Sequence, residues 1–411
     1  MVNEYFELIN YGGSFYYYLF ELANFSILAL LAMIAYQCRY INVNSLIIWT
    51  GIFLLPIFLN YFLFSPYLFP DQFQYAAEVA SQKSKGISIP NIAAQNDKSL
   101  EDVGLNYSIS AINPVTLTTK ILGFAPIPNY MTVTSLAFAN KFFLFLMFLW
   151  LKKHFENENV LLMYFLIPSL LLYSSLSLRD TLVIILSVLF LINVFKDRFF
   201  VSLIILYPLF FLKIQMFAFF SLYFLGRFIF QANRSFASLS LFVFVILSFA
   251  LFFDDLILDL INGYRYGFAA EDLDLGNGLY GYAAWSIYGQ EIMDSLTLQS
   301  IPEAILKAFA GLPNLLLMPL PWNWSNIFYP VQALESVFLI FLYIWIMVKY
   351  KLFINKEFIF LTFILVVSLL VYSLLAFNEG TFVRYRFTLF YPFLIGIYFI
   401  GTNSKLSKKR E

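Results

Sequence analysis

The sequence predicts an all-α membrane protein, a multispanning bundle of about eleven transmembrane helices. Of its 411 residues, 61% are hydrophobic and only 12% are charged. A water-soluble domain carries about 25% charged residues, so this chain cannot cover a water-facing surface of ordinary composition. Long apolar runs recur along it, and a spanning helix needs roughly 17–25 mostly apolar residues. We therefore predict a single integral membrane domain that covers residues 1–411.

Eleven apolar stretches qualify as spanning helices, some of them short and tilted. They lie at 15–36, 45–64, 131–151, 159–174, 181–195, 199–213, 214–230, 236–253, 331–348, 358–377 and 387–402. The stretch 199–230 is too long for one ordinary span and carries Lys213 and Gln215 near its middle. It can form two short helices that turn at 212–215, or one long helix.

The distribution of basic residues favours two helices. With two, the cytoplasmic segments hold fourteen basic and five acidic residues, out of 25 of each kind in the chain. Cytoplasmic loops carry an excess of Lys and Arg, so this arrangement fits every short loop. A single long helix would invert all later spans and place the basic C-terminal tail outside. The pattern therefore predicts a non-cytoplasmic N-terminus and a cytoplasmic C-terminus.

Two long non-cytoplasmic segments, 65–130 and 254–330, separate the spans. Both contain apolar stretches, such as 301–321. Backbone that enters a membrane must have its polar groups paired within the protein. We therefore expect amphipathic or re-entrant helices that lie on the bundle, not free loops.

Composition also argues against several classes of function. The net charge is zero, so no basic field is present to attract nucleic acid. The one cysteine, Cys38, rules out an intramolecular disulfide. The one histidine, His154, stands beside two lysines, an unsuitable setting for a zinc ion.

The first candidate site residue is Asp71, which follows the second span in the sequence Pro70-Asp71-Gln72. A carboxylate at the mouth of a bundle can act as a general base on an acceptor hydroxyl. Tyr75 lies four residues on, on the same face if the segment is helical. The alternative is a plain helix start, with proline in the first turn and an acidic residue near the positive end of the dipole.

The next candidates belong to loops predicted on the same face. Arg179 carries a planar, always-charged fork suited to phosphate or pyrophosphate. Asp180 could be its partner, the N-cap of the next helix, or both. Lys213 and Gln215 stand at the predicted turn, and Lys141 lies inside the third span; a charge at such depth is functional, internally paired or snorkelling.

Two arginines, Arg384 and Arg386, open the last span on the non-cytoplasmic side, against the usual charge preference. On a helix they would point in different directions, whereas a loop through Gly380 would let both converge on one anion. The alternative is a pair of surface arginines that grip lipid phosphates. Together with Arg179 and Lys213 they form a predicted cationic cluster, for which a lipid-borne phosphate or pyrophosphate is the natural ligand.

At these residues the chain resembles bacterial membrane glycosyltransferases and polymerases of surface polysaccharide. Pro70-Asp71-Gln72 with Tyr75 looks like the first outer-loop carboxylate motif of GT-C transferases, which take sugars from polyprenyl phosphate carriers. The segments around Arg179 and Arg384-Tyr385-Arg386 are similar to segments of proteins from polysaccharide loci. Size and span count also fit Wzy-type O-antigen polymerases. GT-C enzymes often carry a second acidic residue in the first outer loop and a soluble domain, and we expect no C-terminal soluble domain in this chain.

The resemblance implies an enzyme of the bacterial inner membrane that acts at the periplasmic face. It would transfer a sugar or oligosaccharide from a polyprenyl carrier, such as undecaprenyl (pyro)phosphate, during O-antigen or capsule assembly. Asp71 would be the base, and the cationic residues would bind the leaving (pyro)phosphate. The residues assigned to phosphate are Arg179, Lys213, Arg384 and Arg386, with Tyr75, Asp180 and Gln215 in support.

The same resemblance sets the expected partners. They are a polyprenyl-linked glycan, membrane lipid, and a chain-length regulator or other polysaccharide assembly proteins. A divalent metal is compatible with this class of enzyme, but no residue pattern here requires one. The alternative function is a transporter or flippase of a lipid-linked glycan, which would use the same cations without a catalytic carboxylate.

Overall fold

The computed structural model is helical throughout the part of the chain that it describes. The described residues are 15–63, 72, 75, 78–79, 114–128, 130, 132, 134–155, 157–233, 255–263, 265, 297–319, 328–375 and 379–408. Every regular element in these ranges is a helix, which confirms the all-α class. The chain divides into two compact units, Met1–Ala218 and Phe219–Glu411. Each is described by itself.

The first unit is built from long helices and several short ones. They are α1 (Phe15–Gln37), α2 (Val43–Phe58) with a π-helical turn (Leu59–Leu63), α3 (Pro114–Leu122), α4 (Ser135–Lys152), α5 (Glu158–Phe165), α6 (Pro168–Ser174), α7 (Asp180–Phe195) and α8 (Phe199–Leu212). The next helix, α9 (Ile214–Asn233), begins in this unit and continues into the second. Two of these helices have asparagine N-caps: the side chains of Asn42 and Asn157 accept hydrogen bonds from backbone N–H groups in the first turns of α2 and α5.

The second unit contains a helical stretch at 255–263 and four further helices. They are α10 (Ile301–Leu317), α11 (Phe328–Lys349), α12 (Lys356–Leu375) and α13 (Glu379–Lys408). A 3₁₀ turn at Leu352–Ile354 joins α11 to α12, and Lys351 before it adopts a left-handed conformation with φ 53°. This tight connection makes α11 and α12 chain neighbours with only a short loop between them.

Five helices in the described ranges are long and apolar enough to cross a membrane. They are Leu19–Gln37, Val43–Leu63, Ser135–Lys152, Tyr329–Lys349 and Lys356–Leu375. The helices α7 and α8 are apolar but shorter. The protein is therefore a membrane protein of several spans. The total of eleven stays a prediction, and the predicted span at 236–253 lies outside the described residues.

The predicted span 159–174 is not one helix. The backbone leaves the helical conformation after Phe165 and α6 begins at Pro168. Proline has no N–H and its ring clashes with the carbonyl four residues before it, so it starts a helix well and continues one badly. The prediction of one continuous span here is wrong, and two short helices take its place.

The long stretch 199–230 is broken at Lys213 into two helices, and the turn that would make them two separate spans stays a prediction. Lys213 has an extended backbone, with φ −159° and ψ 90°. Its N–H still donates to the Leu209 carbonyl at 2.9 Å, and its own carbonyl accepts from the Phe217 N–H at 3.1 Å. A single extended residue thus separates α8 from α9 while the backbone polar groups beside it remain paired.

In the first unit, loops that were predicted as cytoplasmic meet at one end. The Lys152 ammonium lies 2.7 Å from the Glu158 carboxylate and also donates to the Tyr40 carbonyl. The Lys196 ammonium lies 2.9 Å from Nδ1 of His154. Burial and the charge of Lys196 lower the pKa of His154, so its neutral ring can accept this hydrogen bond. We call this the basic end of the first unit.

The loops predicted as non-cytoplasmic meet at the other end of the same unit. The Asn60 amide, just after α2, donates to the Ser175 carbonyl before α7 at 2.9 Å. The Asp180 carboxylate at the start of α7 lies 3.7 Å from the Lys213 ammonium at the end of α8. Successive loops therefore alternate between two ends, as the charge pattern predicts.

In the second unit, segments predicted to be cytoplasmic also lie together. Arg227 on α9 donates to the Glu357 carboxylate at the start of α12, at 3.1 Å. Gly401 of α13 packs against the ring of Tyr350, just after α11. All four residues lie at or near segments predicted to be cytoplasmic, so these segments again share one end.

The helix α10 lies directly on α12, which confirms the expectation of a helix docked on the bundle within 254–330. The Ser373 hydroxyl donates to the Ala308 carbonyl at 2.7 Å. A Cβ atom on Gly311 would lie 2.8 Å from the Ser373 carbonyl oxygen, so only glycine permits this approach. The outer face of α10 exposes apolar side chains such as Leu306 and Phe309.

Gly311→Ala tests this contact. The added methyl meets backbone, which cannot move aside as a side chain can, so we expect a loss of about 1–3 kcal/mol in unfolding free energy. Gly51→Ala is the matched control, because nothing lies within 4 Å of its added Cβ. Unfolding of both variants in detergent should separate them, and equal stabilities would contradict the close packing of α10 on α12.

The native cysteine provides a test of orientation. Cys38 is exposed at the basic end, which the charge pattern predicts to be cytoplasmic. In intact cells a membrane-impermeant maleimide should leave Cys38 unlabelled, and permeabilisation should allow labelling. In a Cys38→Ser background, Gln299→Cys should react from outside, because Gln299 is exposed in a segment predicted as periplasmic. Labelling of Cys38 in intact cells would reverse the predicted orientation.

Candidate functional site

A layer of buried polar side chains lies at the end of the first unit opposite the basic end. We call it the buried polar layer. Its members are Glu21, Asn60, Gln72, Asn140, Lys141, Ser174, Ser177, Asp180 and Lys213, all of them buried. Polar and ionisable groups inside a membrane protein are costly to bury and mark functional sites by default. The layer is therefore the candidate functional site.

The loop at 175–179, between α6 and α7, is held by three amide side chains. Asn60 donates to the first loop carbonyl at 2.9 Å, and Asn140 donates to two further loop carbonyls at 2.9 and 3.0 Å. The Gln72 side-chain oxygen accepts from the Ser177 N–H at 3.1 Å. Irregular backbone is tolerated within a membrane only where protein groups pair it. These amides therefore fix the loop that carries Arg179.

Lys141 supports the end of α6. Its ammonium donates to the Ser174 hydroxyl at 2.6 Å and to the Leu171 carbonyl at 3.2 Å. A cation near the C-terminal end of a helix interacts favourably with the carbonyl dipoles there. Of the alternatives that its position inside the third predicted span left open, Lys141 is internally paired, with partners on a neighbouring helix.

Asp180 and Lys213 form a buried ion pair. Their charged atoms lie 3.7 Å apart, and the side chains are 1% and 5% exposed. Asp180 is the first residue of α7, where the helix dipole also favours a negative charge. The N-cap position belongs to Arg179, so the alternative of Asp180 as N-cap is not observed. The described partner of Asp180 is Lys213.

Arg179 itself stands at the edge of the layer and is half-buried. No described residue gives its guanidinium a hydrogen bond or an ion pair. Its backbone is nevertheless anchored, because the loop before it is held by amides and α7 begins directly after it. Arg179 therefore offers a full positive charge from a fixed position.

In the second unit, Arg386 closes the end of α10. Its Nη1 donates to the Met318 carbonyl at 2.7 Å, and the carbonyls of Leu315 and Leu316 lie 3.2 and 3.1 Å away. The last carbonyls of a helix have no partner within the helix, and Arg386, 2% exposed, supplies one. The contact gives Arg386 a structural role; its phosphate-binding role stays a prediction.

Arg384 and Arg386 both lie on α13, which begins at Glu379. The loop through Gly380 that would let both arginines converge is therefore wrong. Two residues along an α-helix are separated by about 200° around its axis, so the two side chains leave opposite sides of α13. Arg384 is half-buried.

The remaining predicted site residues are placed only in part. Asp71 lies outside the described residues, whereas Tyr75 after it is buried. Gln215 is half-buried in the first turn of α9, two residues after Lys213. In the part of the chain that the structure describes, no group of three or more His, Cys, Asp or Glu side chains could hold a metal ion.

Several members of the site were missed from the sequence. Glu21 lies in the first span, and Asn60 and Asn140 in the second and third; each is a single polar residue in an apolar run, a signal that was available. Arg265 was missed as well. Its Nη1 donates to the Leu374 carbonyl at the end of α12, at 2.7 Å, a contact with no local signature.

The chain was compared with protein-family models, with curated proteins and with solved structures, and none of them matches it. The fold and the site define the class of protein: an all-α membrane protein of several spans with a buried polar layer at one end of its first unit.

The Asp180–Lys213 pair can be tested by removing one charge and then both. Lys213→Met leaves a buried carboxylate without its cation, and we expect a loss of about 3–5 kcal/mol. Adding Asp180→Asn removes the unpaired charge, so the double variant should be more stable than Lys213→Met alone. Denaturant titration in detergent measures both, and simply additive losses would contradict the pairing.

Proposed function

We propose that this protein is a membrane glycosyltransferase or polymerase of surface polysaccharide, either O-antigen or capsule. It transfers a sugar or oligosaccharide from a polyprenyl (pyro)phosphate carrier at the periplasmic face of the bacterial inner membrane. The observation that carries the proposal is Arg179, a half-buried arginine on an anchored loop with no partner in the described part of the chain. The resemblance of the surrounding motifs supports it.

The surroundings of Arg179 suit a phosphate group. The guanidinium fork can bind two phosphate oxygens at once. Because the loop at 175–179 is held by Asn60, Asn140 and Gln72, the backbone that carries Arg179 stays in place when negative charge develops. Preorganised donors of this kind provide the largest single contribution in many enzymes.

The buried ion pair beside Arg179 explains why its charge remains available. Asp180 is the next residue and would be the natural counterion of Arg179. Lys213 lies 3.7 Å from the Asp180 carboxylate instead, and the two charges balance each other. In this proposal Lys213 neutralises the charge of Asp180, and Arg179 contacts the (pyro)phosphate.

The two arginines of α13 have separate roles in the proposal. Arg386 holds the end of α10 through the Met318 carbonyl and is a positioning residue. Arg384 leaves the opposite side of the helix and keeps the phosphate-binding role that the sequence predicts. Tyr75 and Gln215 support the substrate site.

The chemical step is the displacement of the carrier phosphate. An acceptor hydroxyl attacks the anomeric carbon of the donor sugar, and Asp71 takes its proton. The bond between that carbon and the phosphate oxygen breaks, and the electron pair leaves with the (pyro)phosphate. Arg179 meets the negative charge that develops on this leaving group.

The alternative is a transporter or flippase of a lipid-linked glycan. Many transporters are built from two repeats, with broken helices at matching positions. Among the described residues, the breaks after Phe165 and at Lys213 both lie in the first unit, while α12 and α13 are continuous in the second. This arrangement favours a transferase.

The decisive experiment uses purified protein in detergent with a polyprenyl-linked donor and an acceptor. No second compartment exists there, so only a transferase can form product. Asp71→Asn should lower the rate roughly 10²–10⁴-fold with donor binding retained, because it removes the base. Arg179→Ala should cost on the order of 2–4 kcal/mol in transition-state stabilisation.

Arg39→Ala is the matched control for Arg179→Ala, because Arg39 is an exposed arginine at the basic end. It should retain the wild-type rate. The transferase proposal is wrong if wild-type protein makes no product with varied donors while reconstituted vesicles move the lipid-linked glycan across the bilayer.

A further inference from the structure

We propose that Glu21 and the hydroxyl groups around it form a buried binding site for a monovalent cation, a sodium ion or a proton. The site belongs to the buried polar layer but is not used in the transfer step described above. It stands on independent observations and does not require that the protein be a glycosyltransferase.

The oxygen atoms of the site come from three segments of the first unit. Glu21 lies on α1 and is fully buried. Its Oε1 accepts hydrogen bonds from the hydroxyls of Thr132 and Thr134, just before α4. The Tyr61 hydroxyl, on the π-helical turn after α2, lies 3.4 Å from the same oxygen. The Ser135 hydroxyl lies 2.7 Å from that of Thr132.

No basic side chain in the described ranges neutralises Glu21. Among the described helices, α2 and α4 pack most extensively against α1. There is no charged residue in α2, and Tyr61 is the titratable group that faces Glu21 from the turn after it. The two lysines of α4 are occupied elsewhere: Lys141 binds Ser174, and Lys152 pairs with a glutamate at the basic end. An ionised carboxylate buried among neutral groups needs a compensating cation.

The chemistry of the donors selects the class of cation. The hydrogen-bond partners that described residues offer to Glu21 are hydroxyl oxygens, which suit hard cations and not soft transition metals. One carboxylate balances one positive charge. Its second oxygen, Oε2, is buried and has no hydrogen-bond partner among the described residues, so it is the atom left to bind a proton or to ligate sodium.

Two adjacent residues connect the cation site with the loop at 175–179. Tyr61 contacts Glu21, and Asn60 beside it holds the loop at 175–179. Both belong to the π-helical turn Leu59–Leu63, and such turns occur frequently at functional sites. A cation at Glu21 therefore acts on the same turn that anchors the loop before Arg179.

The test measures thermal unfolding of the purified full-length protein in detergent. Sodium chloride is exchanged for choline chloride at constant ionic strength, and the series is repeated over a range of pH in choline. A cation that binds the folded state raises the melting temperature. For sodium, the melting temperature should rise with sodium concentration. For a proton, it should rise as the pH falls, because the folded state then binds more protons than the unfolded chain.

Glu21→Gln should abolish whichever response the wild type shows, because the amide keeps the shape and loses the charge. Thr134→Val, a smaller change, should shift the response to several-fold higher cation concentration. Glu158→Gln is the matched control at the basic end, where the carboxylate already has Lys152, and should keep the wild-type response. A response that is absent in wild type, or equal in wild type, Glu21→Gln and Thr134→Val, would overturn the proposal.

Discussion

The structure depends on one constraint, that a backbone carbonyl inside a membrane must find a donor in the protein. This chain breaks its helices repeatedly, so it must supply such donors at each break. In the first unit Asn60, Asn140 and Lys141 donate to carbonyls at and after the end of α6. In the second unit Arg386 and Arg265 do the same for the ends of α10 and α12. The first role of these polar side chains in apolar helices is therefore structural: they pair backbone carbonyls.

This constraint separates residues that the sequence groups together. Arg179 and Arg386 look alike as arginines predicted at one membrane face. The structure gives Arg386 the carbonyls at the end of α10, about seventy residues earlier in the chain. Arg179 lies beside Asp180, yet the described ion pair of Asp180 is with Lys213. Pairing at such sequence distances has no local pattern, which is why only coordinates distinguish an arginine that caps a helix from one that can meet a ligand.

Local signals were sufficient for much of the fold. The apolar runs predict the all-α class, and the charge pattern predicts both the break at Lys213 and the alternation of loops between two ends, because these depend on residues near one another. The break before Pro168 was missed although the proline is visible, since the flanking residues remain apolar. Glu21 was missed for a related reason: one carboxylate barely lowers the hydrophobicity of a span, and the threonines that donate to it lie more than a hundred residues away.

Several charged side chains of the first unit are compensated by partners within the protein. Lys152 is balanced by Glu158, and Lys213 by Asp180, while Lys141 is held by helix-end oxygens. Arg179 and Glu21 are among the charged groups of this unit for which the described residues supply no counterion. In a low-dielectric interior an uncompensated charge attracts a ligand of opposite sign. The adjacent residues Asn60 and Tyr61 join the two surroundings, so an anion beside Arg179 and a cation at Glu21 would both act on the π-helical turn Leu59–Leu63.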